Sequence, residues 1–264
     1  MALHPRDLRP FAPIVALVAA ATCPRRAAAV DRFEIQVYDG TANAPGVASL
    51  ENHVNFVDRG DRNGGATAPT EHQAHLTFEG ALGVSRIWEP GVYLQTALVP
   101  GNGYEFGGVK LRSKFVTPPG FSRHVRLGAN FELAQVPSDF EEHRWSVEVR
   151  PIAAFVFPEF LFAVNPIVSV PLSNGGGAPE FEPAVSAKGR LAPGVALGVE
   201  YYAGLGPFGE PLPVAEQDHY LFIAGDYDLG KGFNLNFGAG AGLSDASDRF
   251  TLKGILAYEF GRVW

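Results

Sequence analysis

The chain of 264 residues carries one cysteine, Cys23, and one methionine, Met1. A lone cysteine cannot close an intrachain disulfide, which excludes a small cross-linked scaffold. Long hydrophobic runs are also missing. The longest, near Phe11 to Ala21, contains Pro13 and falls short of the roughly 20 apolar residues of a spanning helix. Positive charge is scarce, with 21 Lys and Arg against 28 Asp and Glu, a formal net charge of −7. That balance argues against nucleic acid as a partner. Catalytic signatures are absent as well. There is no Gly-x-Ser-x-Gly elbow, and Gly238, Gly240 and Gly242 repeat with a strand period instead of the dinucleotide-binding spacing. His72 and His75, three apart on a strand, point to opposite faces, so no metal site is expected there. His53 and His75 fall on polar faces, and Ser49 lies near His53, but no recognisable catalytic motif accompanies them. No catalytic residue, metal ligand or cofactor is assigned, and the chain is expected not to be an enzyme.

What the sequence has in quantity is alternation. In its last strand Phe250, Leu252, Gly254, Leu256, Tyr258 and Phe260 alternate with Thr251, Lys253, Ile255, Ala257 and Glu259. A period of two with one apolar and one polar face is the signature of a strand between two different solvents. The pattern recurs over Ala48–Phe56, His72–Val84, Val92–Val99, Tyr104–Phe115, Val125–Leu133 and Trp145–Phe155. It continues over Phe160–Val170, Phe181–Leu191, Val195–Ala203, His219–Leu229 and Phe233–Leu243. With the last strand these make twelve. A slip near Gly107-Gly108 reads as a β-bulge.

The connections alternate between long and short, as in outer-membrane barrels with long outside loops and short periplasmic turns. Gly230-Lys231-Gly232 and Ala192-Pro193-Gly194 are short, and Asp58 to Thr70 and Gly206 to Asp218 are long. Val116 to His124 is longer than a periplasmic turn should be. Aromatic residues gather near strand ends in two sets, as girdles at lipid headgroups do. Trp88, Phe157, Phe160, Phe233, Phe260 and Trp264 form one set, and Tyr104, Phe106, Trp145, Phe181, Tyr220 and Phe250 the other.

The polar faces carry charges that would each cost about 2–4 kcal/mol for a Lys or Arg at the midplane of a bilayer. They must therefore face a lumen. The candidates lining it are Lys110, Arg112, Lys114, Arg126, Glu132, Glu148, Arg150, Lys188, Arg190 and Glu200. Near-balance of sign predicts cross-strand ion pairs, with Glu132 and Glu148 as partners for the basic ladder Arg112-Lys114. Tyr258, Phe260 and Trp264 are the expected assembly anchor of the closing strand.

Residues 1–29 have the features of a signal peptide: Arg6 and Arg9, an apolar core from Ile14 to Ala21, and Ala27-Ala28-Ala29 at the cut. Thr22 and Pro24-Arg25-Arg26 around Cys23 fit a lipid-modified cysteine poorly. Removing this segment takes four Arg and one Asp, leaving a net charge of −10 and no cysteine. Phe33, Ile35 and Val37 alternate like a further strand, but a thirteenth span would break the even strand number of bacterial barrels. Residues 30–47 are therefore expected not to span, and to tuck into the lumen or cover the periplasmic mouth.

The run Phe33-Glu34-Ile35-Gln36-Val37-Tyr38-Asp39-Gly40, then Pro45-Gly46 and Ser49 to Phe56, resembles the start of proteobacterial outer-membrane proteins of the transporter family labelled "MetA-pathway of phenol degradation". The resemblance covers about a tenth of the chain. It implies passage of small, aromatic or hydrophobic solutes and transfers no site residue. The expectation is an all-β chain in which residues 48–264 form one antiparallel transmembrane β-barrel of about twelve strands in a Gram-negative outer membrane. Its partners would be outer-membrane lipid, the barrel-assembly machinery and a small solute. A structural or lipid-modifying barrel and a secreted soluble β-sandwich that binds a ligand are the alternatives.

Overall fold

The structure, a computed structural model, describes residues 30–65, 67–173 and 176–262. Its strands are β1 (Val47–Arg59), β2 (Ala74–Leu82), β3 (Trp88–Val99), β4 (Gly103–Val116), β5 (Val125–Gln135), β6 (Trp145–Val156) and β7 (Phe160–Asn165). They continue with β8 (Val168–Pro171), β9 (Glu180–Phe181), β10 (Ala184–Ala192), β11 (Val195–Gly204), β12 (Asp218–Gly230), β13 (Phe233–Gly242) and β14 (Phe250–Arg262). All pairings are antiparallel: most join neighbours in sequence, β6 pairs with both β7 and β8, β7 pairs with β10, and β1 pairs with β14 over Val47↔Arg262 to Arg59↔Phe250, closing the sheet. The soluble sandwich is thereby corrected: one sheet closes on itself, where a sandwich stacks two.

β7 with β8, and β9 with β10, are single spans that break at Pro166 and Pro183, so the fourteen strands make twelve spans. Proline has no N–H for the ladder. The amide of Glu182 still donates to the carbonyl of Ile167 across the break, 2.9 Å, and Ile167 turns inward. The expected strand His72–Val84 starts later, because His72 is in the left-handed region at φ 60° and closes the turn before β2. The bulge lies where the sequence places it: Gln95 pairs with Gly108 and Thr96 with Phe106, leaving Gly107 extra and Gly108 at φ 130°.

Connections 60–73, 136–144, 172–179, 205–217 and 243–249 gather at one end, the long-loop end, where 100–102 is the short exception. The other end holds 83–87, 157–159, 193–194 and 231–232, with 117–124 the long exception. Lys231 and Gly232, at φ 56° and 85°, both adopt the left-handed conformation of a two-residue type I′ hairpin turn.

Alternation separates two environments. Leu50, Val54, Phe78, Val92, Leu94 and Leu252 are each 40% or more exposed on the outer face, whereas His53, Asn55, Glu79, Tyr93, Gln95 and Asn130 inside are at most 2% exposed. An apolar belt around a whole sheet, with charge inside, suits hydrocarbon and not water. Outward aromatics contact one another at the short-turn end: Phe233 lies 4.4 Å from Tyr258, Tyr258 meets Phe260 edge-on at 4.8 Å, and Trp88 stacks on Phe115 at 6.3 Å. Tyr104, Phe106 and Trp145 are exposed at the other end. Tyr220 does not belong to that set. It faces inward, and its hydroxyl accepts the amide of Asp248 at 2.7 Å. Trp264 lies outside the described residues.

The Phe233-Tyr258-Phe260 cluster sits beside the closing seam, so Phe260→Ala should lower the yield of folded barrel. A heat-dependent gel shift in detergent reads this directly; an unchanged folded fraction would show that the cluster does not assist closure.

Candidate functional site: a threaded lumen and its inner vestibule

Residues 30–46 form no strand, yet they are not outside the barrel. They run down the lumen from the long-loop half to the short-turn end, where the amide of Gly46 donates to the carbonyl of Gly83 before β1 begins. Alternation in this segment sends neighbouring side chains into different surroundings. Phe33 packs among Ala97, Val99, Ala134, Val136 and Phe140, edge-on to His75 at 4.8 Å and Phe140 at 5.4 Å. Ile35 joins Val30, Ile167, Ala184, Tyr202, Tyr220 and Phe222. Each such burial stabilises by about 1.5–3 kcal/mol. The bulge on β4 makes room for this packing: a Cβ on Gly107 would meet the Phe33 ring at 2.5 Å.

A segment without a ladder must find other partners for its buried backbone. Wall side chains supply them. Lys253 donates to the carbonyl of Ile35 at 3.0 Å, Arg150 to that of Gln36 at 3.3 Å and Asn55 to that of Arg32 at 2.9 Å. Asn165 accepts the Tyr38 amide at 2.7 Å and donates to the Tyr38 carbonyl at 3.0 Å, clamping the backbone of that residue through both its N–H and its C=O. The Tyr38 hydroxyl donates to Glu34 at 2.7 Å and meets the Tyr93 hydroxyl at 2.9 Å. Its ring lies 4.6 to 5.8 Å from the cationic groups of Arg150, Lys114 and Arg112, within cation–π range.

Charge completes the attachment. Lys110 contacts Asp31 directly and lies 3.7 Å from Glu34 and 3.3 Å from Glu132. Burial pushes the Asp31 carboxyl up, but the adjoining Lys110 ammonium and its hydrogen bond more than reverse this and hold it below its usual range. Arg32 pairs with Asp248 at 3.1 Å, and Arg126 with Asp39 at 2.9 Å.

The plugged and open parts of the lumen differ sharply. Beside Phe33 and Ile35 the remaining voids are about 10 Å³ each. Toward the short-turn end two cavities of about 230 and 490 Å³ share Gln36, Asp39, Thr41, Glu51, Asp226 and Asn236 and form a vestibule. Arg112, Lys114 and Lys188 line its inner part and Arg190 its rim.

Lys110, Arg112, Glu132, Arg150, Lys188 and Glu200 are buried, whereas Arg190 is exposed and Arg126 partly so, and two pairings differ from expectation. Arg112 stands opposite Glu132 in register, yet its guanidinium reaches Glu79 at 2.8 Å and Glu89 at 2.7 Å. Gly91, its register partner on β3, explains the direction, since a Cβ there would meet Arg112 Nε at 2.9 Å. Lys114 also pairs with Glu89, at 2.7 Å, while Glu148 pairs with Arg150 at 2.8 Å. On the far wall Lys188 bridges Glu200 and Asp226, at 2.9 and 2.8 Å, and Glu200 contacts Lys253. Sequence reasoning passed over Asp31, Tyr38, Glu51, Glu89 and Asn165 as site residues. The strand period could have marked Glu51 and Glu89 as inward; nothing local marks Asn165 as a clamp.

Among the described residues no serine hydroxyl is hydrogen-bonded to the imidazole of His53 or His75. Ser49 instead accepts from Asn43 at 2.8 Å. The ring nitrogen Nε2 of His53 faces two carboxylates, Glu51 and Glu79.

No family model matches the chain, and no curated protein matches it. Solved structures do. The COG4313 outer membrane channel from Pseudomonas putida F1 aligns with TM-score 0.60 and 12% identity over 86% of this chain and 100% of that one. The fold is the porin-like barrel. The KdgM porin gives TM-score 0.53 and 12% identity over 81% of this chain and 99% of that one, and the NanC porin 0.52 and 5% over the same shares.

Replacing Gly107 by valine should expel Phe33 from its pocket and loosen the threaded segment while leaving the barrel closed. Limited proteolysis in detergent should then cut within residues 30–46 markedly faster than in the parent protein. Equal protection of both proteins would mean that Phe33 does not anchor the segment.

Proposed function

We propose that the protein is a narrow outer-membrane channel for small polar or charged solutes, with residues 30–46 as its internal constriction. The vestibule carries this reading. It opens at the short-turn end, is walled by paired charges, and ends against a lumen packed shut by Phe33, Ile35 and their surroundings. The likeness to channel and porin structures supports a conducting role, and the outer apolar belt supports residence in a lipid bilayer. In this reading the signal peptide directs secretion, the barrel-assembly machinery inserts the chain, and the short-turn end faces the periplasm. The resemblance of the first strand implies aromatic or hydrophobic solutes. The vestibule favours polar ones, since Thr41, Ser186 and Asn236 stand among its charges.

Planar-bilayer recording tests the proposal. The parent protein should show small conductance steps, and deleting residues 31–41 should enlarge them several-fold. If neither protein conducts, the channel reading fails; if both conduct equally, the threaded segment is no constriction.

Selectivity should follow the vestibule's charge. Arg112 and Lys114 face Glu79 and Glu89, with Glu51 beside them. Replacing both cations by glutamine leaves those carboxylates uncompensated in a confined space, which favours cations. The reversal potential in a salt gradient should therefore move toward cation selectivity. No movement in a conducting variant would show that permeant ions do not pass this wall.

A further inference from the structure

One group of side chains in the vestibule wall has a geometry that ion pairing alone does not explain. Glu51 and His53 lie two apart on β1 and face inward; Glu79 stands directly opposite Glu51 on β2. Two carboxylates in register on neighbouring strands repel. What lies between them is His53, whose side chain is fully buried and whose two ring nitrogens have no hydrogen-bond partner. Its Nε2 is 3.4 Å from Glu79 Oε2 and 3.6 Å from Glu51 Oε2, and one donor atom from each of the three residues falls within 4.8 Å of the others.

The two distances from His53 are long for hydrogen bonds and suit a shared ion. Ligands at about 2.0–2.1 Å around a tetrahedral centre are separated from one another by about 3.3–3.4 Å. Glu79 is held for the purpose: Arg112 binds its Oε1 at 2.8 Å, leaving Oε2 buried and unpartnered on the histidine side. Fixing a ligand carboxylate through its second oxygen is what surrounding groups do in metal sites. Glu51 and Glu79 both line the 230 Å³ cavity, which provides an entry path and room for a water as fourth ligand.

We propose that Glu51, His53 and Glu79 bind one divalent transition-metal ion, of which zinc fits best, through two carboxylate oxygens and one imidazole nitrogen. Imidazole with carboxylate in a three-ligand site suits zinc and its neighbours, whereas calcium takes six or more oxygens and magnesium keeps an octahedral shell. The ion cross-links β1 to β2 at the inner end of the vestibule and cancels the repulsion of the facing carboxylates. Nothing in this assignment depends on conduction.

The test uses the full-length protein in detergent, stripped of metal by chelator and dialysed. Titration with Co²⁺, followed by its visible d–d absorption, and with Zn²⁺, followed by calorimetry, should each show one ion per barrel. Zinc should displace cobalt, and an equimolar amount of Mg²⁺ should not. Both His53→Gln and Glu51→Gln should weaken binding at least about tenfold. Glu51 is partly exposed, so its variant decides the matter if the His53 variant does not fold. Absence of stoichiometric binding, competition by Mg²⁺, or unchanged affinity in the folded variants would overturn the proposal and leave a proton on His53 as the charge between the carboxylates.

Discussion

The ammonium of Lys110 is where the wall and the threaded segment become one structure. It faces three carboxylates, Glu132 from the neighbouring strand and Asp31 and Glu34 from residues 30–46. A closed sheet in lipid must turn its charges inward, and an inward charge must be neutralised or hydrated. Inside this narrow barrel there is little water to hydrate it, because the long-loop half is packed to voids of about 10 Å³. Partners therefore have to come from protein. The wall alone does not place them all; the segment brings Asp31, Glu34 and Tyr38 to the cations that line its path. Removing one member of such a buried set costs about 3–5 kcal/mol, because the partner is left charged and unpaired.

The same demand explains why the barrel was legible in sequence and its interior only partly so. A strand between hydrocarbon and a polar lumen repeats its contrast at every residue, and that contrast placed all twelve spans and the bulge at Gly107. It marked Lys110, Arg112 and Glu200 as inward. Alternation says nothing about which neighbour a long side chain leans toward. Arg112 turns from its register partner's side to Glu79 and Glu89 because Gly91 leaves space, a fact of three strands at once. Nor does it separate a strand from a threaded segment. Phe33, Ile35 and Val37 have the period of a span, and what keeps them inside is the set of donors on the wall: Asn165, Lys253, Arg150 and Asn55. Tyr220 misled for a related reason. Near a strand end an aromatic serves a headgroup girdle or an internal cluster equally well, and the register with Tyr202 sends it inward.

Glycine and proline mark where the period-two rule yields to the interior. Gly107 widens the wall for Phe33, and Pro166 and Pro183 interrupt two adjacent spans so that Ile167 can turn in against Ile35. Gly107 and Ile167 both lie against side chains of the threaded segment, Phe33 and Ile35. A barrel that only had to enclose water would have no use for them.

The attachment of that segment is uneven along its length, which bears on which part of the filled lumen is easiest to open. In the long-loop half it is fixed by two apolar clusters and by ion pairs centred on the buried Lys110 and Glu34. At the short-turn end Asp39 pairs with Arg126, and their side chains are 32% and 37% exposed. An ion pair that accessible contributes about 1 kcal/mol or less, against the several kcal/mol of a buried set. Asp39 and Thr41 also border the vestibule. Local opening starts where few buried contacts are lost. Motion confined to this part enlarges the vestibule without connecting it to the other end, because Phe33 and Asp31 still fill the lumen beyond. A continuous opening therefore requires the strongly held half to shift, and the boundary between the two halves falls between Tyr38, clamped by Asn165, and the loosely paired Asp39.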